Sequence, residues 1–179
     1  MGDLRPYVLA ALSDPDASVR RDAVMALASM DFDGEHRELT LSKETASDLA
    51  ALYRRESEGY VRGEIAKSFA LGREDYPELR LVLLDALADP DSHVRQHALM
   101  GAERLQLQAA LPKVVEALRD PDAHTRFLAA HAISTYGASL ENLEALVLAL
   151  AAETDRIARG EIERAIAKAS ERRARAPGR

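Results

Sequence analysis

The chain has 179 residues, of which 47% are hydrophobic and only 4% aromatic, with no cysteine and a formal net charge of −6 at pH 7. That apolar share can bury a substantial core, and so few rings point to helices packed closely through Leu, Val, Ile and Ala. The composition excludes disulfides and thiol chemistry, argues against a protein built to neutralise nucleic-acid phosphates, and holds no signal-like or membrane-spanning run, which makes the cytoplasm the expected location.

Taken in order, the chain predicts five helix-pair units. The first occupies 4–30 and starts almost at the first residue. Asp31 to Lys43 then interrupts, and Gly34 with the charged run Glu35-His36-Arg37-Glu38 predicts a surface loop with room for one helical turn. This insert reads either as a tolerated insertion or as a binding element. The second unit runs over 45–71, with Gly72 as a helix C-cap, and the third over 76–105. The fourth covers 109–136, ended by Gly137, and the fifth 140–169. Together 1–170 is expected to form one elongated domain. The remaining stretch, 171–179, is basic and expected to fray as a solvated helix end.

A shared motif makes these units equivalent. It reads DPDASVRRDAV from Asp14, DPDSHVRQHAL from Asp89 and DPDAHTRFLAA from Asp120, and more weakly ESEGYVRGEIA from Glu56 and ETDRIARGEIE from Glu153. Its arginines, Arg20, Arg62, Arg95, Arg126 and Arg159, are spaced by 42, 33, 31 and 33 residues. A period of this size marks a stacked array of supersecondary units. Before each motif an amphipathic segment, such as Leu79 to Leu87, predicts a first helix, with Pro6, Pro77 and Pro112 in first turns where no intrahelical bond is lost. The Asp-Pro step ends that helix, because the residue before Pro is pushed out of the α region. Asp16, Asp91 and Asp122 then stand as N-caps of a second helix. Each precedes the motif Arg by four residues, as do Glu58 and Asp155, a spacing expected to form acid-to-Arg pairs of about 0.2–0.5 kcal/mol.

The pattern Asp-Pro-Asp-x-x-Val-Arg-x-x-Ala resembles the HEAT repeat in its short bacterial, phycobilisome-lyase-like form, over Leu4 to about Ala169. The resemblance implies an all-α, right-handed α-solenoid of about five two-helix repeats. It also implies a structural ladder between neighbouring repeats, carried by Asp14, Asp89 and Asp120 with Arg20, Arg95 and Arg126, and extended in frame to Arg62 and Arg159. The second and fifth units lack the Pro, which leaves their turns open.

In a stacked array, equivalent positions of successive second helices line up in rows. Two residues after the motif Arg stand Asp22, Glu64, His97, Leu128 and Glu161; five after it, Met25, Lys67, Met100, His131 and Arg164; two before it, Ser18, Tyr60, His93, His124 and Ile157. Val94, Ala98 and Ala102 should face the first helices, which leaves those rows on or near the concave side. Four of the five histidines, His93, His97, His124 and His131, thereby fall with Phe127 in repeats three and four. His93 and His97 have the i,i+4 spacing of a helical metal pair, but no third ligand is fixed, so no metal and no cofactor are expected.

The chain carries no Gly-rich phosphate loop, no Gly-x-Ser-x-Gly elbow and no His-Glu-x-x-His. The expected function is that of a non-enzymatic adaptor or scaffold holding a protein or peptide through Tyr60, Lys67, His93, His97, Met100, His124, Phe127 and His131, since aromatic side chains and Met supply much of an interface's contact. The resemblance offers two alternatives. One is phycobilin-lyase-like or chaperone-like assistance on a chromophore protein. The other is a HEAT-like DNA glycosylase or nucleic-acid binder, against which stand the absence of Trp and the acidic balance. A consensus design is opposed by the irregular insert and the two degenerate repeats.

Overall fold

The computed structural model describes residues 4–30, 32–33, 38–72, 75–136 and 139–175. Among these are ten α-helices, paired in five repeats: α1 (Arg5–Ala11) with α2 (Ala17–Met30), α3 (Lys43–Arg55) with α4 (Gly59–Leu71), α5 (Pro77–Ala86) with α6 (Ser92–Arg104), α7 (Leu111–Glu116) with α8 (Ala123–Tyr136), and α9 (Leu140–Ala152) with α10 (Arg156–Arg175). The all-α repeat fold is the expected one. Contacts divide the chain into two compact units, 1–101 and 102–179.

In the first unit the core runs through Leu27, Leu49, Ile65, Phe69, Leu79, Leu83 and Leu99, all fully buried. The second is built around Ile133, Leu146 and Ile162. Removing such side chains from water is worth about 25 cal/mol per Å² of apolar surface, which is what holds each helix pair against the next. Val94, Ala98 and Ala102 are buried, as their place facing the first helices required.

The helix starts follow the local chemistry. Pro6, Pro77 and Pro112 sit in the first turns of α1, α5 and α7. Ser42 and Ser139 cap α3 and α9 by accepting from the amides of Thr45 and Asn142. Asp16, Asp91, Asp122 and Asp155 each accept from backbone amides in the first turn of a second helix, at 2.7–2.9 Å.

At the described ends of the insert, Phe32–Asp33 (β1) pairs antiparallel with Glu38–Leu39 (β2), and α3 begins at Lys43. Its charged centre, 34–37, lies outside the described residues, as does Gly137. Gly72 does end α4, but in extended backbone (φ −62°, ψ 144°), where an added Cβ would come within 3.1 Å of Leu41; close approach, not left-handed geometry, favours glycine there. The tail does not fray at Glu171. Instead α10 continues to Arg175, and Arg172 donates to the carbonyl of Ser134 at 2.8 Å. Residues 176–179 lie outside the described residues.

Candidate binding surface on the second helices

The motif residues make one local arrangement five times. The guanidinium group of Arg20 donates to the carbonyls of Asp14 and Pro15 (2.8 and 3.0 Å), closing the turn between the helices of its own repeat. Arg62 does the same to Glu56 and Ser57, Arg95 to Asp89 and Pro90, and Arg126 to Asp120 and Pro121. Arg159 reaches the carbonyl of Glu153. These arginines thus satisfy carbonyls of the turn that follows each first helix.

The other guanidinium edge reaches the next repeat. Arg20 grips Glu56 in a two-bond fork (2.7 Å each), Arg62 grips Asp89 (2.7 and 2.8 Å), and Arg126 grips Glu153 (2.7 and 2.8 Å). The four-residue pairing with Asp16 or Glu58 is not where Arg20 and Arg62 go, because the fork is spent on planar carboxylates with which two parallel bonds form. The same carboxylates also bind the turn. Asp14, Asp89 and Asp120 accept from the amide two residues on, and Glu56 and Glu153 do so in the repeats without Pro. The degenerate turns therefore close as the others do, with one extra methylene in the acid.

The carboxylates answer to this geometry. Arg126 holds the Glu153 carboxyl down to about 2, and Arg20 lowers that of Glu56 in the same way. Burial pushes Asp89 up, but its bonds from Arg62 and the Asp91 amide outweigh that and leave it lowered.

The exposed faces of the second helices differ between the units. In the first unit, α2, α4 and α6 leave Met25, Tyr60, Leu71 and Met100 between 41% and 52% exposed. Lys67 Nζ lies 3.0 Å from Glu64 Oε1. Between α2 and α4 runs a groove of about 190 Å³ lined by Met25, Ala28, Ser29, Glu64, Lys67, Ser68 and Leu71. His97 is half-buried, its Nδ1 has no hydrogen-bond partner, and burial lowers its pKa. His93 is exposed beside Asp91.

In the second unit, α8 carries His124, Phe127 and His131 as a column of near-parallel rings. Centroids are 5.7 and 6.4 Å apart and planes within 11° and 7°. His131 Nδ1 lies 2.9 Å from Glu161 Oε1 on α10, and its Nε2 3.5 Å from Glu103 Oε1. Glu161 is only 4% exposed.

The histidines that the sequence groups together are thus divided, His93 and His97 in one unit, His124 and His131 in the other. Among the described residues no set of three His, Asp or Glu side chains is placed to hold a metal. Sequence reasoning passed over Glu103 and Glu161 as site residues. Glu161 already stood in a row with Glu64 and His97; Glu103 carried no such signal, because the end of α6 brings it to His131.

A family model described as HEAT repeats matches residues 71–167. No curated protein matches the sequence. An engineered protein from the Northeast Structural Genomics Consortium is similar at a TM-score of 0.64 and 20% identity, over 94% of this chain and 81% of that one. A designed armadillo repeat protein in complex with the peptide (KR)4 gives 0.63 at 18% identity, over 93% of this chain and 82% of that one. At such identities these likenesses show the fold alone. The family match, in contrast, spans more than half of the chain and covers the Arg62-type clamps' equivalents in repeats three to five, so the chain belongs to the HEAT-repeat family.

Proposed function

We propose that this protein is a non-catalytic adaptor, working in the cytoplasm, that binds an extended segment of a protein partner across the exposed faces of its second helices. The observation that carries this reading is the run of exposed apolar side chains, Met25, Tyr60, Leu71 and Met100, on helices whose backbones are held by buried arginine forks. A surface fixed in advance loses little entropy on binding, and Met and Tyr adapt to and anchor a partner's side chains. The designed armadillo neighbour, whose fold this chain shares, is itself a peptide complex.

The test is selection of ligands from a random peptide library, followed by binding measurements on variants. Selected peptides are expected to bind Met25→Glu and Met100→Glu about ten-fold or more weaker than wild type, and Val147→Glu on α9 as well as wild type. A library that yields no ligand, or ligands sensitive only to Val147→Glu, overturns the reading.

A further inference from the structure

We propose that the outer face of α9 joins two copies of this chain, packed α9 against α9 in antiparallel fashion as a two-fold dimer. This goes beyond the peptide-binding reading and does not rest on it.

In the register set by the motif arginines, the position of Val147 is held by Ala50, Leu83 and Val114 in repeats two to four, and that of Leu143 by Ala46, Leu79 and Ala110. All six are fully buried. In repeat two the following first helix, α5, packs along α3. In the fifth repeat the same positions are open. Val147 is 51% exposed, Leu140 54% and Leu148 62%, and Leu143 is partly exposed. Leu143, Val147 and Leu148 line, with Glu144, a hollow of about 410 Å³.

The second helix of that repeat is finished differently. The register position of Glu163 is held by Val24, Ala66, Leu99 and Ala130, none more than 1% exposed, whereas Glu163 itself is exposed. An end repeat needs a polar outer face where its neighbours bury an apolar one, and Glu163 supplies it. The fifth repeat is thus closed on α10 and left apolar on α9. A further repeat stacked over both helices would bury Glu163 without a partner. A single helix laid on α9 leaves it in water.

The chemistry of α9 selects the helix that fits. Its outer row runs from bulky to small, Leu140, Leu143 and Val147 to Ala151, and α9 has no lysine or arginine. Glu141 and Glu144 lie near its start, and Arg156 stands exposed just beyond its end. A second copy turned end for end, with the two Val147 side chains at the crossing, sets Leu143 on the small Ala151. It also brings Glu141 of one chain within reach of Arg156 of the other. Two-fold symmetry makes each of these contacts twice, bulky on small and acid beside base. A parallel pairing would set Glu141 against Glu141. With 13 residues α9 is about 20 Å long, which keeps the contact below about 1,200 Å² and the dimer reversible, in the micromolar range.

The experiment is sedimentation velocity on the full chain from about 1 µM to about 1 mM. Wild type is expected to pass from monomer to dimer across that range. Val147→Glu puts two carboxylates at the crossing and should weaken the dimer about 100-fold or more, with a melting temperature close to wild type because the site is half exposed. Glu141→Arg and Arg156→Glu should each weaken it about ten-fold, and an equimolar mixture of the two should restore it, since every contact of the mixed pair is again acid beside base. A chain that stays monomeric to about 1 mM overturns the second copy as occupant and leaves α9 to a foreign helix. A dimer indifferent to Val147→Glu overturns the α9 interface, and a mixture no better than its components overturns the antiparallel pairing. None of the residues assigned to peptide binding lies on α9, so peptide affinity per chain should be the same for Val147→Glu as for wild type, and either reading can fail without the other.

Discussion

The turn edge of the repeats and the exposed face of their second helices are built on opposite plans. At the turn edge every repeat does the same thing: an arginine closes its own turn, and a carboxylate of the following repeat, Glu56, Asp89 or Glu153, receives the fork within a unit. On the exposed face the residue changes from most repeats to the next. The position five after the motif arginine is Met25, Lys67, Met100, His131 and Arg164 in turn. Uniformity marks where the repeats must fit one another, and variation marks where the fold leaves the side chain unspecified and a partner can be read.

The comparison is broken most severely by striking the turn edge. Arg126→Ala removes one half of a buried pair and leaves Glu153, 4% exposed, without its fork, so about 3–5 kcal/mol of stability should be lost in urea denaturation. A loss under about 1 kcal/mol would mean that the clamp is ornamental.

Acid should act on the same edge. Glu153, Glu56 and Asp89 have lowered pKa values in the folded chain, so they bind protons more readily when unfolded. Their contribution is fully present above the ordinary carboxylate range and is lost as pH falls through the folded values. For Glu153 that window runs from its usual 4.5 down to about 2, worth about 3 kcal/mol. Glu153→Gln should flatten the pH dependence of the unfolding free energy in this window. His97 adds an earlier, smaller loss below its usual 6.5, since its lowered pKa disfavours the folded chain once protons bind.

Substitutions on the exposed face should be mild or even helpful. Gly160→Ala is expected to stabilise by up to about 1 kcal/mol, read as a raised melting temperature, because a mid-helix glycine is replaced where nothing obstructs a methyl. Smallest of all, Tyr60→Ala and Met100→Ala should each change the unfolding free energy by less than about 0.5 kcal/mol while weakening partner binding. A large destabilisation by either would move that residue from the binding face to the framework.

Much of this was legible in the chain itself. The aligned arginines gave five helix pairs, the Asp-Pro steps marked the turns, and buried Val94 and Ala98 followed from helical spacing. Of the grouped histidines, His93 and His97 belong to the first unit and His124 and His131 to the second, since a row in a repeat alignment records only equivalence along the chain. The expected pairing of Arg20 did mislead: Asp16 at four residues is near along the helix, but its carboxylate is occupied by the cap at Ser18, while Glu56 offers two aligned oxygens from 36 residues away.

The sequence by itself determined the repeat, its period, the caps and the turn chemistry, because each is set within one helix or one turn by residues a few positions apart. Only the tertiary structure decided which carboxylate each arginine grips, that the insert pairs as strands, and that Glu103, His131 and Glu161 meet. Apart from the insert's strands, those contacts join residues 27 to 36 positions apart, and whether they form depends on how helix pairs pack, which no local pattern encodes.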